Sequence, residues 1–311
     1  MQIQKHSVAA FLILALGAAL IGIAPIFVRL SELSPSWVLF YRMFLALPFL
    51  LVLNFYLDSK NPFRLKERKT YLIAAIAGLA FCIDMTGWHW SLEFTSISNA
   101  TIMVNTAPIY VALFGFFVLR EAITIKLILA MLITYLGVFG LIVGSPDQTP
   151  SSVFGDVISL IAAFFYAAYL ILISRLGHES PTKVILYTTF FCGLFSLPAA
   201  FTESSVYMPT EINGWLNLIA LAVLCQVGGQ YFITIGMPKV KASFAAIGLL
   251  MQPITATILG ALIMMEWLTI FQSMFGVLAL TGIYLARLEL TNGSKNQSTR
   301  IRVFIKRICR R

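Results

Sequence analysis

Residues 98–137 read SNATIMVNTAPIYVALFGFFVLREAITIKLILAMLITYLG, and the chain carries this stretch twice. A shift of 145 positions superposes Ser98 on Ser243, Ala100 on Ala245, Ile102 on Ile247, Pro108 on Pro253, Ile109 on Ile254, Gly115 on Gly260, Glu121 on Glu266, Thr124 on Thr269, Ile125 on Ile270 and Gly137 on Gly282. Apolar identities are cheap in a chain this apolar. A proline, two glycines and a glutamate in one register are not. Each copy reads as an apolar helix with a proline inside it, a Glu at its far end, and a second apolar helix. Upstream, an offset of 146 superposes Arg29 on Arg175, Ser34 on Ser180, Pro35 on Pro181, Val38 on Val184, Tyr41 on Tyr187 and Phe44 on Phe190. The chain is thus a duplicated unit, with a period far longer than that of a solenoid repeat.

Composition sets the class. The 311 residues are 59% hydrophobic and 11% charged, with mean hydropathy +0.89, whereas soluble domains are about a quarter charged. The charges cluster and leave apolar runs of roughly 18 to 22 residues, the length of a membrane-crossing helix. The runs do not alternate, which excludes a membrane β-barrel. Ten spans are expected, near 8–29, 37–57, 70–91, 97–119, 127–144, 153–174, 184–201, 215–236, 243–265 and 270–287. The fold class is therefore an all-α membrane protein of ten helices in two five-helix repeats, residues 1–144 and 145–288, followed by a basic tail at 289–311. A cleavable signal peptide is the rival reading of span 1, but its apolar core would be shorter than this one.

Apart from Arg29 and Arg42, every Lys and Arg falls in the termini or in alternate loops. The intervening loops at 92–96, 145–152, 202–214 and 266–269 contain none. Basic loops favour the cytoplasm, so both termini are expected there, in the plasma (inner) membrane. The net charge of +9 is then topological, and no nucleic-acid partner is implied. Five spans per repeat is odd, so the second copy enters the membrane from the opposite side. Inverted repeats of this kind characterise secondary transporters, with the substrate near midplane between the halves.

The stretches SNATIMVNTAPIYVALFGFFVLREAIT and ASFAAIGLLMQPITATILGALIMMEWLT, with VLFYRMFLALPFLL at 38–51, resemble the EamA-type branch of the drug/metabolite transporter superfamily. The resemblance runs from about residue 8 to 288. It implies spans 1–4 and 6–9 around a central cavity, with spans 5 and 10 at the side. It also implies transport of a small metabolite and leaves the substrate open, from amino acids to nucleotide-related metabolites, vitamins, quaternary amines and drugs. The second copy departs from the first at Arg42, where it has Thr188.

Polar residues within spans face partners or a cavity, and their spacing marks the faces. Asn99, Met103, Thr106 and Tyr110 share one face of span 4, and Gln226, Gln230 and Thr234 share one of span 8. Gln252 lies beside Pro253 in span 9, and Tyr166 and Tyr169 lie in span 6. With Trp88 and Asp84 of span 3, these are the candidate substrate contacts. The alternative for each is interhelical glue, worth ~0.6 kcal/mol. Trp88, Tyr110 and Tyr169 suit an aromatic or cationic ligand. Trp90 reads as an interfacial anchor, and His89 as a passive interfacial histidine. Pro108 and Pro253 are candidate hinges, and Pro25, Pro48 and Pro198 ordinary membrane-helix prolines. Cys82, Cys192, Cys225 and Cys309 have no metal or disulfide spacing, and no Walker A motif is present. No catalytic residues, metal or cofactor are expected. The expected partners are a small-molecule substrate and membrane lipid, with the chain as a monomer or homodimer. Export of amino acids, possibly aromatic, by alternating access is the leading function. A lipid-carrier flippase or a non-transporting scaffold subunit is the alternative.

Arg42 and Asp84 both fall ~8–10 Å below the outer surface at ~1.5 Å per residue. They form either a permanent ion pair locking spans 2 and 3, or a gate or binding group for substrate or proton. A double-mutant cycle separates these readings. If they pair, Asp84→Asn alone costs ~3–5 kcal/mol, and adding Arg42→Gln restores stability through a coupling of ~0.5–3 kcal/mol. If they serve the substrate, thermal stability in detergent is nearly additive and flux is lost in Asp84→Asn.

Overall fold

The computed structural model describes residues 2–58, 63–95, 100, 103–121, 123–143, 152–203, 207–263 and 269–292. The described residues form helices joined by turns and irregular loops, without a β-strand. Among the described residues eight helices are long and apolar enough to cross a membrane, and two shorter apolar helices, Ala107–Phe117 and Ile125–Gly140, accompany them. Span 1 comprises helices Gln2–Ile21 and Ala24–Arg29. Span 2 is Pro35–Leu57 and span 3 Arg68–Phe94. Span 4 includes Ala107–Phe117, and span 5 is Ile125–Val143. Span 6 is Val153–Arg175 and span 7 Pro181–Thr202. Span 8 runs through Ile212–Ala220, Leu221–Gly229 and Gln230–Gly236. Span 9 comprises Ala242–Leu249 and Met251–Ile263, and span 10 is Ile270–Asn292.

The duplication reappears as a pseudo-two-fold arrangement of contacts. Span 5 packs along span 10, span 2 along span 7, and span 4 against span 9. The pairing of span 3 with span 6 is mirrored by that of span 8 with span 1. At the crossing of spans 5 and 10, a Cβ on Gly137 would lie 2.3 Å from the backbone nitrogen of Ala279, and one on Gly282 would lie 2.2 Å from Thr134 Oγ1. Ala279 is the repeat mate of Thr134, so the same close approach is made twice. The helix starts repeat as well. Thr124 Oγ1 accepts from the Leu127 amide at 3.2 Å, and Thr269 Oγ1 from the Gln272 amide at 3.1 Å. Spans 2 and 7 both begin Ser-Pro, with the proline in the first helical turn, where its missing N–H costs nothing.

Three spans are broken, each for the same reason. A proline ring clashes with the carbonyl four residues before it and removes one backbone bond. Helix in span 1 ends at Ile21 before Pro25, and in span 9 it ends at Leu249 before Pro253. In span 4 it stops after Val104, with turns at Asn105 and Thr106 before Pro108. The breaks in spans 4 and 9 fall at the mates Asn105 and Leu250. Pro25 is a break rather than an ordinary helix proline, whereas Pro48 and Pro198 stay inside unbroken helices. Span 8 departs from expectation differently: Leu221–Gly229 is a π-helix, containing the pair Gly228-Gly229. Wide turns of this kind recur at functional sites. Asn99, Glu266 and the tail beyond Asn292 lie outside the described residues.

Loops bond to loops on the same side. On the basic side Lys183, buried in the first turn of span 7, pairs with Asp58 at 3.0 Å and donates to the Arg64 carbonyl at 3.1 Å. Glu179 there accepts from the Lys66 amide at 2.8 Å. On the opposite side Asp156 accepts from Thr95 Oγ1 at 2.6 Å, and Ser152, the N-cap of span 6, donates to the Phe94 carbonyl at 2.6 Å. Glu203, just past span 7, accepts from the Ser36 amide at 3.0 Å, from Ser36 Oγ, and from Trp90 Nε1 at 3.3 Å. Burial raises the pKa of the Glu203 carboxyl, but these hydrogen bonds outweigh it and hold the group below its ordinary 4.5.

Two outcomes follow from the packing and the Glu203 contacts. Gly137→Ala forces spans 5 and 10 apart and costs about 1–3 kcal/mol, read as thermal unfolding in detergent. Gly87→Ala, whose Cβ would meet Ala162 at an ordinary 3.5 Å, is neutral or stabilises by up to about 1 kcal/mol. Glu203 has a depressed folded pKa, so its stabilisation is present above the unfolded value and is lost as pH falls through the folded one. The melting temperature therefore drops as pH falls through and below the ordinary carboxylate range, and Glu203→Gln flattens part of that slope.

Candidate functional site

The polar residues expected to face inward do so on spans 3, 6 and 8, and they share one interior with Arg42. Arg42 is 4% exposed and Asp84 1%. Their charges lie within electrostatic range of each other, but the direct ion pair is not made. Neither oxygen of Asp84 has a hydrogen-bond partner, and neither do Nε and Nη2 of Arg42. Arg42 Nη1 meets only the thioether of Met85, at 3.9 Å. The expectation of a pair locking spans 2 and 3 is corrected accordingly: Arg42 points toward span 3 without closing on the carboxylate. Its repeat mate Thr188 spends its hydroxyl on the Val184 and Ile185 carbonyls of its own helix, at 3.0 and 3.2 Å.

The field of Arg42 also reaches His89, Tyr166, Tyr169, Cys192 and Cys225. Span 2 packs against spans 3, 7 and 8. Span 8 contributes two fully buried amides. Gln226 Nε2 donates to Thr189 Oγ1 at 2.9 Å, which leaves its Oε1 unpartnered. Gln230 Oε1 accepts from Tyr169 at 3.4 Å, which leaves its Nε2 unpartnered. Trp88 Nε1 and His89 Nδ1 are also buried without a partner. The interior thus presents donors from Arg42, Trp88 and Gln230 and acceptors from Asp84 and Gln226. Leaving such groups unsatisfied costs ~1–3 kcal/mol each, more when charged.

An aromatic wall stands beside them. Phe81 stacks on Tyr169 with centroids 4.6 Å apart, and Tyr166 lies parallel to Tyr169 at 6.3 Å. Tyr166 is fixed by Gln252, whose Nε2 donates to its hydroxyl at 2.8 Å. Gln252 lies one residue before Pro253, so the restart of span 9 carries one support of this wall.

Not every expected contact joins this group. Met103 and Thr106 flank the break in span 4, where Thr106 Oγ1 donates to the Met103 carbonyl at 2.6 Å. Tyr110 is half-buried and lies edge-on to Phe164, which is 55% exposed; it sits at the rim. Trp90 is exposed and bonded to Glu203, as an anchor at the boundary would be. His89 is 4% exposed and packs inside the protein rather than facing outward. The sequence signal for it was available, since His89 follows Trp88 near the end of a span that carries Asp84. Phe81 was missed because an isolated phenylalanine in an apolar helix has no distinguishing spacing. Among the described residues no group of three or more His, Cys, Asp or Glu is placed to hold a metal.

Comparison with known proteins places this architecture. The chain matches the EamA-like transporter family over residues 8–143 and again over 153–288. It is 26% identical over 273 residues to the uncharacterized transporter YetK of Bacillus subtilis, covering 84% of this chain and 82% of that protein. An uncharacterized transporter of Archaeoglobus fulgidus is 26% identical over 266 residues, covering 83% and 89%. A solved structure titled only "Crystal structure of protein" superposes with a TM-score of 0.77 at 15% identity, over 90% of this chain and 97% of that one. That likeness supports the fold alone. Two matches in tandem, covering both halves of a chain whose contacts repeat about a two-fold, make it a member of the EamA-like transporter family.

Proposed function

We propose that the protein is a secondary transporter that moves an amino acid, with aromatic amino acids the leading class, across the plasma membrane by alternating access. The single observation that carries this reading is the buried interior where Arg42, Trp88 and Gln230 offer donors and Asp84 and Gln226 offer acceptors, all without protein partners. A zwitterion supplies both complements: its carboxylate to the guanidinium, its ammonium to Asp84. A charged hydrogen bond of this kind is worth about twice a neutral one. The wall of Phe81, Tyr166 and Tyr169 suits an apolar or aromatic side chain. The basic loops and termini favour the cytoplasmic side, and export is the direction we infer.

Purified protein in liposomes shows saturable flux of at least one amino acid and supports counterflow. Arg42→Gln and Asp84→Asn each lower flux by roughly ten-fold or more, the worth of one charged hydrogen bond. Both leave the melting temperature in detergent near that of the wild type, because no direct ion pair is broken. No flux across a broad metabolite panel from folded protein overturns the reading. Normal flux in Asp84→Asn removes Asp84 from the site.

A further inference from the structure

Spans 3 and 6 run antiparallel in one register. Ser159 Oγ donates to Ser91 Oγ at 2.7 Å, and Phe81 stacks on Tyr169. Phe81 lies as far back from Ser91 as Tyr169 lies on from Ser159, so these two contacts fix the pairing between them. Asp84 then falls level with Tyr166, which lies within reach of its charge. Both are three residues, or ~4.5 Å along the helix, to the Ser91 side of the Phe81–Tyr169 stack. The guanidinium of Arg42 lies against Met85, the next residue on that same side. The two charges thus stand at one level, and the stacked rings begin one turn deeper in the span.

Span 8 meets the deep end of that ring wall with two amides. Gln226 and Gln230 are four residues apart, about one turn, and both are buried. Gln230 Oε1 accepts from the Tyr169 hydroxyl at 3.4 Å, so Gln230 stands at the far edge of a ring in the stack. Gln226 Nε2 donates to Thr189 Oγ1 of span 7 at 2.9 Å. Each amide therefore spends one polar end on the protein. Gln226 keeps an unpartnered acceptor, Oε1, and Gln230 an unpartnered donor, Nε2. A hydrocarbon side chain satisfies neither. An indole N–H only donates, and satisfies Gln226 alone. A hydroxyl both donates and accepts, and satisfies the two together.

We propose that Gln226 and Gln230 select the side chain of the substrate, and that the group they read is a hydroxyl on an aromatic ring. The zwitterion is held by Arg42 and Asp84, and the ring extends from there along Phe81 and Tyr169. The ligand O–H donates to Gln226 Oε1, and its oxygen accepts from Gln230 Nε2. The Tyr169 phenol already meets Gln230 in this way, and the ligand phenol takes the neighbouring place. A site built to bond a hydroxyl rejects the analogue that lacks it, because its desolvated polar groups are then left unpaired. The amino acid with this chemistry is tyrosine, and phenylalanine is the analogue rejected. The inference deepens the amino-acid reading of the interior and rests on it.

Binding of tyrosine and of phenylalanine to the purified full-length protein in detergent is measured by isothermal titration calorimetry. The wild type binds tyrosine about ten-fold or more tighter than phenylalanine. Gln226→Leu and Gln230→Leu each lower that ratio by roughly ten-fold, because the ligand hydroxyl and the amide form the two arms of a double-mutant cycle. Damage to packing alone weakens both ligands alike and leaves the ratio where it was. If a leucine variant does not fold, the wild-type ratio decides. Equal affinities in the wild type, or an unchanged ratio in the folded leucine variants, overturn this inference and leave the transport reading standing. Binding of neither amino acid by folded protein also overturns it, whereas the transport reading is decided by flux across the metabolite panel.

Discussion

A hydrocarbon core offers no hydrogen-bond partner, so a chain that crosses it must satisfy its polar groups from within. This constraint makes the chain helical, since a helix satisfies its own backbone. It also makes every exception informative. At the span ends the orphan groups find partners in neighbouring loops: Ser152 caps span 6, Thr124 span 5 and Thr269 span 10. In the interior the rule is set aside around Arg42 and Asp84. Their isolation is costly enough that packing alone does not account for it.

The same constraint explains where the helices break. Pro25, Pro108 and Pro253 each remove one backbone bond, a loss that neighbouring groups must make good. Span 9 packs against both span 1 and span 4, and the breaks are found in these three spans. Close approach between spans relies on small residues, as between Gly17 of span 1 and Gly229 of span 8, where a Cβ on Gly17 would lie 2.6 Å from the Gly229 carbonyl. Lipid gives no hydrophobic reward for bringing such helices together, so surface fit supplies the attraction.

Asymmetry between the repeats carries the rest. The crossing of spans 5 and 10 uses Gly137 and Gly282 identically, whereas Gly115 and Gly260 differ in burial. Arg42 has no counterpart in the second copy, so the polar interior is lopsided even though the frame around it is not.

Much of this was legible in the residues. The repeat, the inverted topology, the class, and the inward faces of spans 6 and 8 follow from spacing and charge, because helical periodicity and the membrane thickness act locally along the chain. Helix breaks at Pro108 and Pro253 were legible as bends, since proline acts on its own helix. Whether Arg42 closes on Asp84 was not, because that depends on how spans 2 and 3 cross, and a difference of a few ångströms decides between a pair and two unpartnered charges. The π-helix in span 8 and the burial of His89 likewise depend on packing between segments far apart in sequence. Only the tertiary structure decided them, because each is set by distances between helices and none by spacing along one.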